Sequence, residues 1–321
     1  MTEIKKLEAR LHAITWQAQG IHSYELRPQP GTAFPAFTAG AHIDLYLPNG
    51  LVRSYSLVNP QGETHRYVVA VNRDAASRGG SRHVHEQLRV GDVVTISTPR
   101  NNFLLNEKAP HTVLIAGGIG VTPLYCMMQR LTELGASWQL YYSARTRLLA
   151  GFHDDIEALG KRAGRSVVFN FDHEPGGKML DMGAIVSQIA PDAHLYCCGP
   201  IPMLQAFEKA CAGRDPATVH VEYFSATEAP STAGGFTVKL NRSGKSVFIP
   251  EGKTILDALL DAGVDIPFSC MEGVCGTCET KVISGVPDHR DLILTESERQ
   301  GGKTMMICCS GSKSAELVLD L

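Results

Sequence analysis

The chain has 321 residues, 44% hydrophobic and 20% charged, which suits two or three ordinary cores and excludes a disordered chain. Its 30 Lys and Arg against 33 Asp and Glu leave a formal charge of -3, so no general attraction to nucleic acid or anionic lipid is expected. No apolar run approaches the roughly 20 residues of a membrane span, and Met1-Thr-Glu-Ile-Lys-Lys6 lacks the apolar core of a secretion signal. These features predict a cytoplasmic protein that binds neither nucleic acid nor membrane.

Up to residue 108 the chain reads as short strands with turn signals. Ala41–Leu47, Val52–Leu57 and Arg66–Val71 alternate in strand fashion, with Pro48-Asn-Gly50 between the first two. A small antiparallel β-barrel domain over 1–108 is expected. Within it, Arg53-Ser-Tyr-Ser56 offers a guanidinium for a phosphate, an aromatic to cover a flavin, and hydroxyls that reach ring nitrogens. Arg78-Gly-Gly-Ser81 reads as a phosphate nest.

At His111 the pattern changes to a buried strand, a glycine turn and a helix with Leu124, Met127, Met128, Leu131 and Leu134 on one face, ended by Gly135. Gly118 and Gly120 allow close approach of a pyrophosphate, the helix start supplies unpaired N–H groups, and Pro123 reads as the first helical position. Strands at 138–143, 166–171, 194–198 and 219–224 follow, with helices between, so 109–225 is expected to be a doubly wound α/β domain. Cys198-Gly-Pro200 places a second close-approach turn on the same carboxyl edge. The second strand ends in Ser143-Ala-Arg145, without the acid that selects the NADH ribose, and Arg145 and Arg147 suit a 2′-phosphate instead.

Residues 225–235 are small, polar and rich in Gly and Pro, which reads as a flexible connector, with 226–235 taken as the linker. A third domain, 236–321, opens with a hairpin and an amphipathic helix over 254–262. It carries Cys270, Cys275 and Cys278, then Cys308 and Cys309. The spacing C-x4-C-x2-C, with a distant fourth Cys, is the plant-type ferredoxin pattern for a [2Fe–2S] cluster. Gly273 and Gly276 let the loop curl until backbone N–H groups face sulfur. A structural zinc site is the alternative, though zinc more often takes two separated C-x2-C pairs. Nine cysteines in this arrangement suit a reducing compartment, and Cys126, Cys197 and Cys211 read as small buried residues.

Taken together, these motifs resemble the ferredoxin-NADP reductase superfamily, and within it the phthalate dioxygenase and vanillate O-demethylase reductases. Pro287-Asp-His-Arg-Asp291 and the ending from Cys308-Cys-Ser310 also match that branch. The resemblance implies an α+β (β-grasp) ferredoxin domain and selects Cys308 as the fourth ligand beside Cys270, Cys275 and Cys278. It implies FMN held by Arg53, Ser54, Tyr55 and Ser56 and by Ala70, Val71 and Asn72, with its phosphate near Gly79, Gly80 and Ser81. NADH is expected on Gly118, Gly120, Thr122 and Pro123, on Ser143 and Arg145, and on Cys198, Gly199 and Pro200. The residues expected to act catalytically are Ser56, Cys198 and Phe224. The implied activity is that of a monomeric reductase, passing electrons from NADH through FMN and the cluster to a Rieske-type terminal oxygenase. The alternatives are an FAD-containing or non-aromatic reductase, such as one serving a carnitine monooxygenase, and an iron–sulfur redox sensor with a nucleotide-binding domain.

Overall fold

The computed structural model describes residues 5–74 and 79–321. They form two compact units, Met1–Tyr223 and Phe224–Leu321. Among the described residues no helix is long and apolar enough to cross a membrane.

The first unit opens with β1 (Lys6–Ala18), β2 (Ile21–Pro28), β3 (His42–Tyr46), β4 (Val52–Ser56) and β5 (Tyr67–Asn72), then α1 (Gly80–Gln87) and β6 (Val93–Ser97). The strands form one antiparallel sheet in the order β4-β3-β6-β1-β2-β5. Its inner face buries Leu11, Leu26, Ile43, Leu45, Leu57, Tyr67, Val69 and Ile96. To enclose these side chains the sheet curls until its edges meet at an antiparallel bridge between Leu57 and Val69. Beside it, the Val58 N–H donates to the Val68 carbonyl at 2.9 Å. The expected barrel is therefore a six-stranded sheet fastened by one short seam, which covers edges that would otherwise invite pairing.

The unit continues with β7 (Thr112–Gly117), α2 (Val121–Glu133), β8 (Trp138–Ala144), α3 (His153–Ala163) and β9 (Ser166–Phe171). It ends with α4 (Met182–Ser187), β10 (His194–Cys198), α5 (Ile201–Cys211) and β11 (Val219–Glu222). The five strands form a parallel sheet in the order β11-β10-β7-β8-β9. Alternation along β7 sends Val113 and Ile115 to a core shared with α4 and α5. Leu114 and Ala116 go to a core shared with α2 and α3. Helices cover both faces, and the chain direction switches between β7 and β10, where doubly wound sheets open a ligand crevice.

α2 begins two residues before Pro123, which is its third residue rather than its first; a short 3-10 turn over Gly118–Gly120 leads into it. Proline still costs no hydrogen bond within the first turn. Leu124, Met127, Met128 and Leu131 are buried as expected, but Leu134 lies past the last helical turn and is 43% exposed. Gly135 turns the chain with φ of 67°. The strand expected over 219–224 stops at Glu222, and Phe224 is a 39% exposed loop residue. α2 also packs on the barrel: Cys126 donates its thiol to the Asn59 carbonyl at 3.2 Å, and the Gln129 amide donates to the Val58 carbonyl at 2.7 Å. One hydrophobic core consequently runs through the barrel and half of the parallel sheet.

The second unit holds β12 (Phe236–Leu240), β13 (Ser246–Ile249), α6 (Ile255–Asp261), β14 (Glu279–Ser284), β15 (Pro287–Asp288), α7 (Glu296–Gly301), β16 (Thr304–Met306), β17 (Gly311–Ser312) and β18 (Glu316–Leu319). A mixed sheet in the order β13-β12-β18-β14-β16 buries Val238, Leu240, Leu317 and Leu319 against Ile255, Leu256 and Leu259 of α6. α6 begins at a capping box in which Thr254 and Asp257 satisfy each other's backbone N–H groups. The segment expected to be a free connector is in large part bonded into this unit, at Ser231, Thr232 and Gly235.

On β10 and β11 a histidine pair gives the first unit an acid sensitivity. His194 Nδ1 and His220 Nε2 are 2.9 Å apart, and His220 stacks on Tyr196 at 4.1 Å. Burial, then the neighbouring His194, lowers the His220 pKa to about 4. The neutral ring is the folded form, so its stabilisation is complete above the unfolded value near 6.5 and is lost as pH falls through that value toward 4. Thermal unfolding of the native chain should drop in midpoint across this window, and His220→Gln should flatten the drop between pH 6.5 and 5.

Candidate functional site

The cysteine loop lies in the second unit. Cys270, Cys275, Cys278, Cys308 and Cys309 are all buried. The Cys270 thiol lies within hydrogen-bonding reach of Cys275 and Cys308, and Cys308 within reach of Cys278 and Cys309. Cys270, Cys275, Cys278 and Cys308 therefore form one contiguous group of sulfurs, as a two-iron cluster held by four thiolates requires. Among the described residues no three ligating side chains close on a single-ion position. The N–H groups of Glu272 and Val274 donate to Cys270 Sγ at 3.3 and 3.4 Å. Gly273 and Gly276, with φ of 72° and 74°, produce this curl. A Cβ on Gly273 would overlap Cys309 Sγ and approach Asp291.

Without metal, Cys270, Cys275 and Cys308 hold their protons. The hydrogen bond with Cys270, then burial, pushes Cys275 far up. Cys308 is raised as well, its bond with Cys270 outweighed by those with Cys278 and Cys309 and by burial. Buried thiolates of this kind need a cationic centre, and the donor set of four sulfurs fits a [2Fe–2S] cluster.

At the switch point of the parallel sheet, two turns meet backbone to backbone. A Cβ on Gly117 would stand 2.5 Å from Pro200 and 2.7 Å from Met203 Sδ, and one on Gly199 would stand 3.0 Å from Gly117 Cα. A Cβ on Gly120 would overlap the Cys198 carbonyl. Gly120 is thus glycine because of its neighbour strand, and Gly117, which the sequence reading passed over, belongs to the same contact. Gly118 differs: φ is 53° and only open space lies beside it, a setting that suits a pyrophosphate. Thr122 is buried and donates its hydroxyl to the Ile119 carbonyl at 2.9 Å, fixing the turn.

Cys198 is fully buried beneath this edge, its thiol held neutral by burial and by nearby Glu222 and Cys197. Glu222 stands opposite Cys198 in the β10–β11 register. Burial raises its carboxyl to about 8, and one of its oxygens is buried without a hydrogen-bond partner. Sequence reasoning missed Glu222, although Val221-Glu-Tyr-Phe224 was in view. At the end of β8, where the adenosine was expected, Ser143 Oγ accepts from the Asn170 amide at 3.2 Å, and Arg145 is exposed. Arg147 pairs with Asp154 at 3.3 Å. An acid does stand at this edge, supplied by the next strand: Asp172 follows β9, its N–H reaches the Ala144 carbonyl at 3.3 Å, and its Oδ1 is buried and unpartnered. That orphaned oxygen suits a ribose hydroxyl.

The flavin residues expected from sequence lie on both sides of the barrel seam. β4 carries Arg53, Ser54, Tyr55 and Ser56, β5 carries Ala70, Val71 and Asn72, and the Leu57–Val69 bridge joins them. Ser54 donates to Asp44 at 2.7 Å, and Asp44, fully buried on β3, is paired with Arg100 at 2.8 Å. Asp44 and Arg100 are therefore supports of β4 that no short motif announces. Ser56 is buried, and burial pushes Tyr55 up to about 12, against the opposing charge of Arg53. Gly79 (φ 96°) and Gly80 open α1 against Arg53: a Cβ on Gly80 would stand 2.6 Å from Arg53 Nε. Ser81 Oγ accepts from the Asp74 N–H at 3.3 Å. A guanidinium, a glycine pair and a helix start together fit a phosphate monoester; Arg78 lies outside the described residues. β5 in turn packs against the Gly118–Gly120 turn, which sets the flavin strand beside the nucleotide turn. Phe224 belongs to the second unit.

Comparison with known proteins agrees with this geometry. Residues 114–209 match the oxidoreductase NAD-binding domain family, and residues 238–312 match the 2Fe-2S iron-sulfur cluster binding domain family. A solved phthalate dioxygenase reductase, a modular structure for electron transfer from pyridine nucleotides to [2Fe-2S], superposes with a TM-score of 0.74 and 39% identity, covering 98% of both chains. The chain belongs to the phthalate dioxygenase reductase family. Phenoxybenzoate dioxygenase subunit beta of Ectopseudomonas oleovorans is 54% identical over 97% of this chain and 96% of its own length. Tetrachlorobenzoquinone reductase of Sphingobium chlorophenolicum is 49% identical over 99% of both. As a member of this family the chain is an NADH-dependent iron–sulfur flavoprotein oxidoreductase, with FMN and a [2Fe–2S] cluster.

Two outcomes follow from the site. Gly120→Ala forces a methyl into the Cys198 carbonyl and should cost about 1–3 kcal/mol, read as a lower unfolding midpoint together with a raised KM for NADH. Glu222, whose folded pKa lies above the ordinary carboxylate value, destabilises the fold as pH rises from about 4.5 toward 8. Glu222→Gln should therefore unfold at a higher temperature than the native chain at pH 8, with the difference gone at pH 4.

Proposed function

We propose that this reductase is the electron-donating component of a Rieske-type oxygenase system that attacks aromatic rings or removes their O-methyl groups. The observation that carries the reading is the meeting of β5 with the Gly118–Gly120 turn, in a chain whose second unit holds four clustered thiols. When bound, FMN takes two electrons from NADH and releases them one at a time, as a one-electron cluster needs.

The residues divide this work among positions. Gly118 leaves room for the dinucleotide pyrophosphate at the start of α2, and the Asp172 carboxylate accepts from the adenosine ribose, which favours NADH over NADPH. Arg53 and the Gly79–Ser81 turn hold the FMN phosphate, while Tyr55 and Ser56 line the ring. Cys198 and Glu222 both keep their protons near neutrality and so bring no charge to the nicotinamide position. A part for Phe224 in the redox step belongs to the same reading. Cys270, Cys275, Cys278 and Cys308 hold the cluster. The division into a flavin domain (1–108), a nucleotide domain (109–225), a connector (226–235) and a ferredoxin domain (236–321) is part of the same reading, as is action as a cytoplasmic monomer. A second reading, direct reduction of quinones, draws on the likeness to the tetrachlorobenzoquinone reductase.

Anaerobic titration with NADH should bleach the flavin, lower the cluster absorbance and leave a reduced [2Fe–2S] EPR signal. A protein left oxidised by both NADH and NADPH would overturn the proposal, and rapid turnover of a substituted benzoquinone without an oxygenase would favour the second reading. Cys275→Ser should keep NADH-dependent ferricyanide reduction within twofold of native and lower cytochrome c reduction by roughly tenfold or more, since only the latter route needs the cluster.

A further inference from the structure

We propose that Ala229–Ser231, the stretch that composition marks as a loose connector, is a docked strap that positions the turn bearing the fourth cluster thiolate. Three contacts seat it. The Ser231 N–H donates to the Cys309 carbonyl at 2.7 Å, one peptide beyond Cys308. Gly311 lies directly under Ser231: a Cβ there would overlap Ser231 Oγ and come within 3.0 Å of Ser231 Cβ. Arg290 donates to the Ala229 carbonyl at 3.3 Å from its side chain and to Ser310 Oγ at 3.3 Å from its backbone. Ser231 is consequently only 8% exposed, in a stretch of otherwise small, polar residues.

The turn under the strap is fastened from two sides. Cys309 and Ser310 both donate their N–H groups to the Met306 carbonyl, which fixes the inner side of the turn. The outward Cys309 carbonyl has Ser231 as its partner, so the strap sets the tilt of the peptide that follows Cys309, one residue beyond the ligand. The Pro-Asp-His-Arg-Asp segment finds its use here. Pro287 and Asp288 pair with Ser312 and Gly311, and Arg290 then reaches across to the strap. At its other end, Asp291 caps the Ile293 and Leu294 N–H groups, and Leu292 donates to the Gly273 carbonyl in the three-cysteine loop. One segment thus ties the strap to both halves of the ligand set. Ser231 is a positioning residue, acting through Cys309.

The inference rests on the cluster assignment, and the experiment separates the two. Gly311 does not need the left-handed conformation, so Gly311→Ala places a methyl under the strap without straining the strand. In the purified holoprotein this variant should lose its cluster to a chelator about fivefold faster than native, the scale of one lost hydrogen bond, and its reduced EPR signal should change shape. NADH-dependent ferricyanide reduction and flavin content should stay native. Ser231→Pro, which removes the N–H donor, should behave alike. Adding Ser231→Gly to Gly311→Ala clears the overlap, keeps the N–H, and should restore the native EPR signal and chelation rate. Native rates and signal in both single variants would overturn the strap. So would a Gly311→Ala defect that Ser231→Gly leaves unrepaired, since that defect would belong to the strand itself. Absence of any [2Fe–2S] signal in the native protein would instead overturn the cluster assignment.

Discussion

The nucleotide half of the molecule depends on a contact in which two backbones touch with no side chain between them. β7 and β10 end side by side, and the turns that leave them approach until Gly117, Gly120 and Gly199 have no room for a Cβ. That approach brings the Cys198 carbonyl against the helix-leading turn and leaves Gly118 as the open position. Glycines at such a site are usually ascribed to a ligand that must come close. Here most of them serve the protein, and the ligand inherits the space that remains. β5 reaches the same turn from the barrel, so the barrel and the parallel sheet share one small piece of backbone.

Much of this was legible from residues alone, because the signals were local. The C-x4-C-x2-C loop has to be short to gather three sulfurs, and the loop positions with positive φ fall on the two glycines the spacing singled out, apart from Met271. Strand alternation and the Arg53–Ser56 motif likewise lie in unbroken stretches. What escaped notice was assembled from distant parts of the chain. Asp44 meets Ser54 across 10 residues, and Arg100 meets Asp44 across 56. Asp172 supplies an acid from the third strand of the sheet where the usual pattern looks to the second. Leu134 and Phe224 were misplaced for a simpler reason: apolar periodicity does not show where an element stops.

Protonation follows the same economy. Buried groups near the nucleotide turn are neutral: the Cys198 thiol and the Glu222 carboxyl are both raised by burial. In the second unit Cys270, Cys275 and Cys308 are raised too, yet the thiols there lie against one another and Cys270 receives backbone N–H groups. An acid or thiol isolated in an apolar setting keeps its proton; a ring of thiols aimed inward exchanges its protons for metal.

The core that runs unbroken through the barrel and half of the parallel sheet also bears on how such chains diversify. Cys126, Gln129 and Met127 of α2 fit the barrel's own loops, so neither half presents a finished surface without the other. Recombination between them would have to re-create that fit side chain by side chain. The 224–321 segment has a core of its own, closed by Phe236, Leu256 and Leu319. Gene fusion or domain shuffling can therefore move the cluster-bearing segment as a cassette, while the flavin and nucleotide segments travel as a pair.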